Sequence, residues 1–280
     1  MRLVFLAVLM GCLLPVVSCS KSTGSGDAVR TVRKITYNGV SVDVVIDKPQ
    51  QDTVDVLVVY HGTVSYDSKI LEAAHRTLDE FKRILTRTDM MIVSVAYPEE
   101  NLMIGDNIAH AEAALLWVKN NVGQELGVTI RKIFLGGHSQ GGYIVTRLNT
   151  MHATHGVIAN APGPLNLVYR CQLEESGMIV NSIGCGILNS NYGSPTTNPS
   201  PYFQRSLLNF TTGFKSDILF IQGMDDGAVQ LYSWPVFRQN VTACSDCRER
   251  QFLEIPNFGH TSLFESSIGK TEFNRFIQNH

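Results

Sequence analysis

The stretch Gly137-His138-Ser139-Gln140-Gly141 sets a serine midway between two glycines. A serine hydroxyl attacks an acyl carbon only when a base takes its proton. The imidazole that does so needs an acid to hold its tautomer and steady its charge. Two later stretches carry those residue types. Gly223-Met224-Asp225-Asp226-Gly227-Ala228-Val229 offers carboxylates, and Phe258-Gly259-His260 offers an imidazole. Glycines two positions either side of Ser139 have a purpose if the chain turns so sharply that side chains would collide there. They would also suit an ordinary turn with a solvent-facing serine. The elements around them decide between these readings.

Each stretch follows an apolar run. Residues 55–60, 90–96, 132–135, 156–161, 218–222 and 250–255 read as strands, the most apolar of them buried on both faces. Residues 31–37 and 40–46 alternate about Asn38-Gly39, which predicts a hairpin. Helical periodicity covers 69–86, with Leu71, Ala74, Leu78, Phe81 and Leu85 on one face, and then 106–122 and 140–151. A further helix is expected near Ser233, with Pro235 in its first turn. The last is expected from Thr261 or Ser262, where Ser262-Leu263-Phe264-Glu265 fits a capping box. This alternation predicts an α/β fold of about eight strands, mostly parallel, with helices on both faces. Such sheets bind ligands beyond the carboxyl ends of their strands, where Ser139, the aspartate pair and His260 fall. The rhythm breaks over 163–216, a segment rich in Asn, Ser, Gly and Pro. It is expected to form a cap insertion of short helices between strands 6 and 7.

At 280 residues the chain suits one α/β domain with a large core, and a net charge of -2 gives no reason to expect a nucleic-acid partner. Residues 1–18 have a positive start and a long apolar run, the composition of a secretory signal peptide. Val16-Val17-Ser18-Cys19 resembles a bacterial lipobox, which predicts lipidation of Cys19; Leu9-Met10-Gly11-Cys12 fits loosely. The apolar run is shorter than the roughly 20 residues of a spanning helix, so a lipid anchor is the only membrane contact expected. Residues 19–28 then read as the lipidated cysteine and a flexible tether, and 29–280 as the folded domain. The expected location is outside the cytoplasm, facing the periplasm or the cell surface. There Cys171, Cys185, Cys244 and Cys247 are candidates for disulfides. Four cysteines allow three pairings, the simplest being Cys171 with Cys185 and Cys244 with Cys247. Zinc is the rival at Cys244-Ser245-Asp246-Cys247. A structural zinc takes four ligands and no second pair follows, so no metal is expected.

Taken together, the sequence resembles α/β-hydrolase-fold serine hydrolases, of the esterase and prolyl-oligopeptidase-like group, exported as a bacterial lipoprotein. G-x-S-x-G between a strand and a helix matches the nucleophile elbow, and the order serine, aspartate, histidine is the family's. The resemblance runs from about Val29 to the C-terminus, and 200–229 looks like the cap-to-acid region of that group. It departs in having no His-Gly-Gly-Gly run. The resemblance implies Ser139 as nucleophile and His260 as base. In the family the acid commonly lies three residues after a glycine and three before an apolar residue. Asp226 meets both conditions, with Gly223 and Val229; Asp225 meets neither, remains the alternative, and is expected to cap a turn. Tyr60-His61-Gly62-Thr63 matches the segment that supplies half of the oxyanion hole, which implies the N–H of Thr63 together with that of Gln140. His61 is expected to fix this loop, and His138 to pack away from the base. The implied chemistry uses no cofactor. Its substrate is a small-molecule or polymer-linked acyl ester, with a peptidase or aminopeptidase as the alternative. A non-catalytic binding lipoprotein is a third reading, which the intact three-residue set disfavours. Tyr169, Tyr192, Tyr202, Phe203 and Trp234 are candidates for the pocket wall or for packing.

Overall fold

The computed structural model describes residues 28–280. The expected signal segment, Cys19 and the tether up to residue 27 lie outside the described residues. Strands β1 (Val29–Tyr37) and β2 (Val40–Lys48) form the hairpin, with positive φ at Asn38 and Gly39, as a tight two-residue turn requires. The chain then alternates through β3 (Thr53–Tyr60), α1 (Ile70–Ile84), β4 (Met90–Ala96), α2 (Ile108–Asn120), α3 (Val122–Leu126), β5 (Thr129–His138), α4 (Gln140–Met151) and β6 (Gly156–Asn160). Short helices α5 (Leu167–Glu175), α6 (Ile183–Tyr192) and α7 (Ser200–Phe203) make the cap. Strand β7 (Ile218–Gly223), α8 (Ala228–Thr242), β8 (Arg250–Ile255), α9 (Ser262–Glu265) and α10 (Ser267–Asn279) complete the chain.

The eight strands form one sheet in the order β1-β2-β4-β3-β5-β6-β7-β8. Strand β2 runs antiparallel to β1 and β4, and every other pair is parallel. Successive strand side chains point to opposite faces, and β3 shows the consequence. Val56, Val58 and Tyr60 join Trp117 and Tyr143 on one side, while Leu57 and Val59 join Leu78, Phe81 and Phe273 on the other. With helices covering both faces, the central strands read as unbroken apolar runs.

The cap helices are too short to stand alone. Asn166 accepts from the Tyr169 N–H to start α5, and Ser182 accepts from the Cys185 N–H to start α6. The Cys171–Cys185 disulfide ties the two together over a small core that includes Leu188 and Tyr202. A second disulfide joins Cys244 to Cys247. It occupies both sulfurs of the Cys244–Asp246–Cys247 group, so no thiolate is left there for zinc.

Two helix starts differ from expectation. Helix α8 begins at Ala228 rather than near Ser233, which puts Pro235 in its interior. Burial of Trp234, Phe237 and Val241 on one face carries the helix through a residue that removes a backbone bond. At the C-terminus the Ser262 pattern makes only the one-turn α9, and its hydroxyl bonds to Asn160 Oδ1 at 3.2 Å instead of capping. The long helix is α10, capped by Ser266, which accepts from the Gly269 N–H.

Candidate active site

Strand β5 ends at His138 and α4 begins at Gln140, so Ser139 alone makes the turn. Its φ of 58° and ψ of −118° are strained for a residue with a side chain. The backbone is held there from three sides. The Ser139 N–H donates to the Asn160 carbonyl at 2.9 Å, and the Ser139 carbonyl accepts from Tyr143 and Gly163, each at 3.1 Å. A Cβ at Gly137 would lie 2.1 Å from the Gly141 carbonyl oxygen, and one at Gly141 would lie 2.0 Å from that of Tyr60. The glycines are therefore required by close approach of backbone to backbone. Helix α4 points its N-terminus at the corner, where its dipole favours negative charge.

The ends of β7 and β8 bring the other two groups together. His260 Nδ1 lies 2.9 Å from Asp226 Oδ2 and 3.1 Å from Oδ1. A carboxylate only accepts, so Nδ1 carries the hydrogen and Nε2 keeps its lone pair. Asp226 also accepts from Gln222 Nε2 at 2.9 Å and from the Gly227 N–H at 2.6 Å. Gln222 is in turn held by Gln230 Nε2 at 3.0 Å. Burial would raise the Asp226 carboxyl, but these hydrogen bonds, with His260 foremost, outweigh it and hold the group below the ordinary carboxylate range. Asp225 is exposed, and its carboxylate makes no hydrogen bond among the described residues, so it caps no turn.

Ser139, Asp226 and His260 line one cavity of about 740 Å³. The Ser139 hydroxyl makes no hydrogen bond among the described residues, and such bonds often tighten only when substrate is present. Thr63 and Gln140 line the same cavity. The Thr63 hydroxyl donates to Gln140 Oε1 at 2.8 Å, tying the loop after β3 to the start of α4.

That loop is fixed from behind. His61 is fully buried, bonds through Nδ1 to the Gly62 carbonyl at 2.8 Å and stacks on Tyr97 at 4.0 Å. Burial lowers its pKa to about 4. The Val64 N–H donates to Glu99 Oε2 at 2.6 Å, and burial pushes the Glu99 carboxyl up to about 8. Asp67 Oδ1 accepts the N–H groups of Glu99 and Glu100. Glu99 carried no motif, and only the fold brings it beneath this loop.

His138 does not pack away from the base. Its ring centroid lies 4.8 Å from that of His260, and Phe264 meets it edge-on at 5.6 Å. Its Nδ1 accepts from Asn160 Nδ2 at 2.8 Å, which places its own hydrogen on Nε2. Burial, then the neighbouring His260, lowers its pKa to about 4. The register pairs His138 with Asn160 across β5 and β6, so the contact follows from strand pairing rather than from any local pattern.

One part of the cavity wall is apolar, with Leu102, Met103, Ile104, Ile183 and Ile187 on it. None of the candidate aromatic residues lines it. Tyr202 and Trp234 are buried in cores, and Tyr169 stacks on Tyr232 at 4.1 Å.

The strand order, the antiparallel β2 and the serine corner after β5 define the α/β-hydrolase fold. Solved structures share it. Est1E from Butyrivibrio proteoclasticus superposes with a TM-score of 0.63 at 13% identity, over 89% of this chain and 98% of that one. A hyperthermophilic esterase from the archaeon Pyrobaculum calidifontis gives 0.63 at 17%, over 91% and 84%. An acylaminoacyl peptidase of Pyrococcus horikoshii gives 0.63 at 13%, over 90% of this chain but 42% of that one. No family model and no curated protein matches the sequence. The two disulfides point to an exported or extracellular protein, and among the described residues no helix is long and apolar enough to cross a membrane.

Proposed function

We propose that this chain is a serine hydrolase that cleaves carboxylic esters through an acyl-enzyme on Ser139. One observation carries the reading. A serine held at φ 58° opens into the same cavity as a histidine whose Nδ1 is 2.9 Å from a carboxylate. In the proposed reaction His260 Nε2 takes the Ser139 proton as Oγ bonds to the acyl carbon. Asp226 keeps the Nδ1 hydrogen in place and steadies the imidazolium. The N–H groups of Gln140 and Thr63 receive the oxyanion, each such donor being worth about 3 kcal/mol. The alcohol leaves with the proton from His260. Water, deprotonated by the same nitrogen, then attacks the acyl carbon, releases the acid and restores Ser139.

Esters are favoured over amides because an alkoxide leaves with less assistance than an amine, and because two of the structural neighbours named above are esterases. The peptidase reading draws on the acylaminoacyl peptidase, of which this chain spans less than half. A cavity of this size takes a small ester, or the acylated end of a larger molecule. We further propose that the protein is exported and held at the membrane by a lipid on Cys19. The test is hydrolysis of 4-nitrophenyl acetate and butyrate beside aminoacyl-anilides, with Ser139→Ala as control. Turnover of esters that Ser139→Ala abolishes is expected. Cleavage of anilides alone would transfer the assignment to the peptidase, and full activity in Ser139→Ala would overturn it. Radiolabelled palmitate incorporation lost in Cys19→Ala tests the anchor.

A further inference from the structure

The cap contributes one charged side chain to the cavity that the reaction above does not use. Arg170 on α5 lines it, and among the described residues it is the only arginine or lysine that does. Its Nε donates to Glu174 Oε1 at 2.9 Å. This is no ordinary surface pair one helical turn apart, because the Glu174 side chain is only 4% exposed against 39% for Arg170. Glu174 is fixed in its turn. Its Oε2 accepts the backbone N–H of Ser182 at 2.7 Å and the Ser182 hydroxyl at 3.0 Å. Ser182 caps α6, and the Cys171–Cys185 disulfide closes the same corner. A buried carboxylate thus grips the inner edge of the guanidinium. The two terminal nitrogens have no acceptor among the described residues.

A guanidinium gripped at Nε presents its outer edge as a planar fork, the geometry that pairs with two oxygens of a carboxylate. Ordering it costs little on binding, because the cap has already ordered it. Of the acidic groups on the same cavity, Asp226 is ionised but turned to His260, Gln222 and the Gly227 N–H, Glu99 is held largely uncharged at neutral pH by burial, and Glu100 is exposed, where solvent and salt screen its charge. Glu174 cancels the net charge of Arg170, so selectivity comes from directed hydrogen bonds rather than from a long-range field.

We propose that Arg170 binds a carboxylate carried by the substrate, so that the preferred substrates are esters bearing a second, anionic group. This rests on the ester-hydrolase reading of the same cavity and narrows its substrate class. The apolar part of the wall, including Ile104 and Ile183, then holds the carbon chain between ester and carboxylate.

The test compares matched esters by kcat/KM. On the acyl side, 4-nitrophenyl half-esters of glutaric and adipic acid are set against 4-nitrophenyl butyrate. On the alcohol side, 4-carboxyphenyl butyrate is set against its methyl ester. The wild-type protein should favour the anionic member of at least one set. Arg170→Gln combined with Glu174→Gln, which leaves no buried charge unpaired, should lower the anionic-to-neutral ratio by about tenfold to a hundredfold, the scale of a lost bond to a charged group. The loss should fall on KM rather than kcat, and Arg170→Lys should restore only part of it. Equal treatment of both members of both sets by the wild type, or an unchanged ratio in the double variant, would overturn the proposal. A second measurement is independent of turnover. Glutarate binding to Ser139→Ala protein, followed by calorimetry, should vanish in the double variant. If no ester is turned over but this binding is present and Arg170-dependent, the hydrolase reading fails and the anion site stands. If glutarate binds equally with and without Arg170, the anion site fails.

Discussion

His260 Nδ1 sits 2.9 Å from Asp226 Oδ2, and the carboxylate it meets is 6% exposed while that of the adjacent Asp225 faces solvent. One backbone step therefore separates a carboxylate that fixes a tautomer from one that does nothing for the histidine. Asp226→Asn replaces a pure acceptor with a group that can donate, so His260 can turn its lone pair the wrong way. Steady-state kinetics should show kcat lower by about a thousandfold or more. Asp225→Asn should stay within about twofold, as exposed substitutions do. Equal losses in the two variants would remove Asp226 from the assignment. Because the Asp226 pKa is depressed in the folded state, its ionised form stabilises the fold above the ordinary carboxylate pKa. That contribution is lost only as pH falls through the depressed value.

The corner at Ser139 depends on the missing side chain of Gly141. A methyl group there would sit 2.0 Å from the Tyr60 carbonyl oxygen, and neither partner is free to yield. Tyr60 is the last residue of β3, paired with Gly137 across β5, and Gly141 lies in the first turn of α4. Gly141→Ala should therefore cost at least about 3 kcal/mol in urea unfolding, in the range of severe backbone and overpacking lesions. Any folded fraction should be inactive, since the serine must shift to make room. Wild-type stability in this variant would mean that the corner is looser than its contacts indicate.

The sheet was readable in the sequence because its central strands are buried on both faces, which leaves runs such as Val56 to Tyr60 with no polar interruption. Ser139, Asp226 and His260 were readable because tight strand ends need glycine, and each lies within two residues of one. Residues that hold them were not. His138 meets His260 through the β5–β6 register, Gln222 reaches Asp226 from inside β7, and Glu99 lies under the loop after β3. Each depends on a partner brought close only by folding. Helix α8 hid its start for a related reason. Proline signalled a first turn, and packing of Trp234 and Phe237 overrode it. The cap gave no periodic signal because its helices are short and cover only a small core.

The two disulfides should differ in weight. Cys171 and Cys185 are 14 residues apart, whereas Cys244 and Cys247 are 3 apart. Loop-closure entropy makes the longer link worth about 3 kcal/mol and the shorter one clearly less. The longer link also braces the cap wall around Glu174 and Ser182. Cys171→Ala/Cys185→Ala should lower stability by about that amount and raise KM more than it lowers kcat. Cys244→Ala/Cys247→Ala should cost less stability, about 2 kcal/mol, and leave KM unchanged. A rise in KM from the second pair and not the first would sever the link between cap rigidity and substrate binding.

Three buried groups set opposing limits on the pH range of stability. His61 and His138 have folded pKa values of about 4, below the ordinary 6.5. Between those values the unfolded chain binds two more protons than the folded one, so their contribution is full above pH 6.5 and is lost as pH falls toward 4. Glu99 acts in the opposite sense. Its folded pKa of about 8 lies above the ordinary 4.5, so the folded state holds the extra proton. Its contribution is full below 4.5 and is lost as pH rises toward 8. Between pH 4.5 and 6.5 these two histidines outnumber Glu99 by one proton, and His110 and His155, also lowered by burial, act in the same sense, so stability should rise with pH by about 1.4 kcal/mol per unit or more. Above 6.5 Glu99 is the one of these three that still acts, and stability should fall by about 1.4 kcal/mol per unit. Urea unfolding across pH 4.5 to 8 should therefore show a maximum near 6.5. Glu99→Gln, whose side-chain oxygen can still accept the Val64 N–H, should abolish the fall above the maximum. His138→Phe should be less stable at pH 7, because Asn160 loses its acceptor, yet lose less on acidification. A maximum that stays in place in both variants would show that other groups govern the profile.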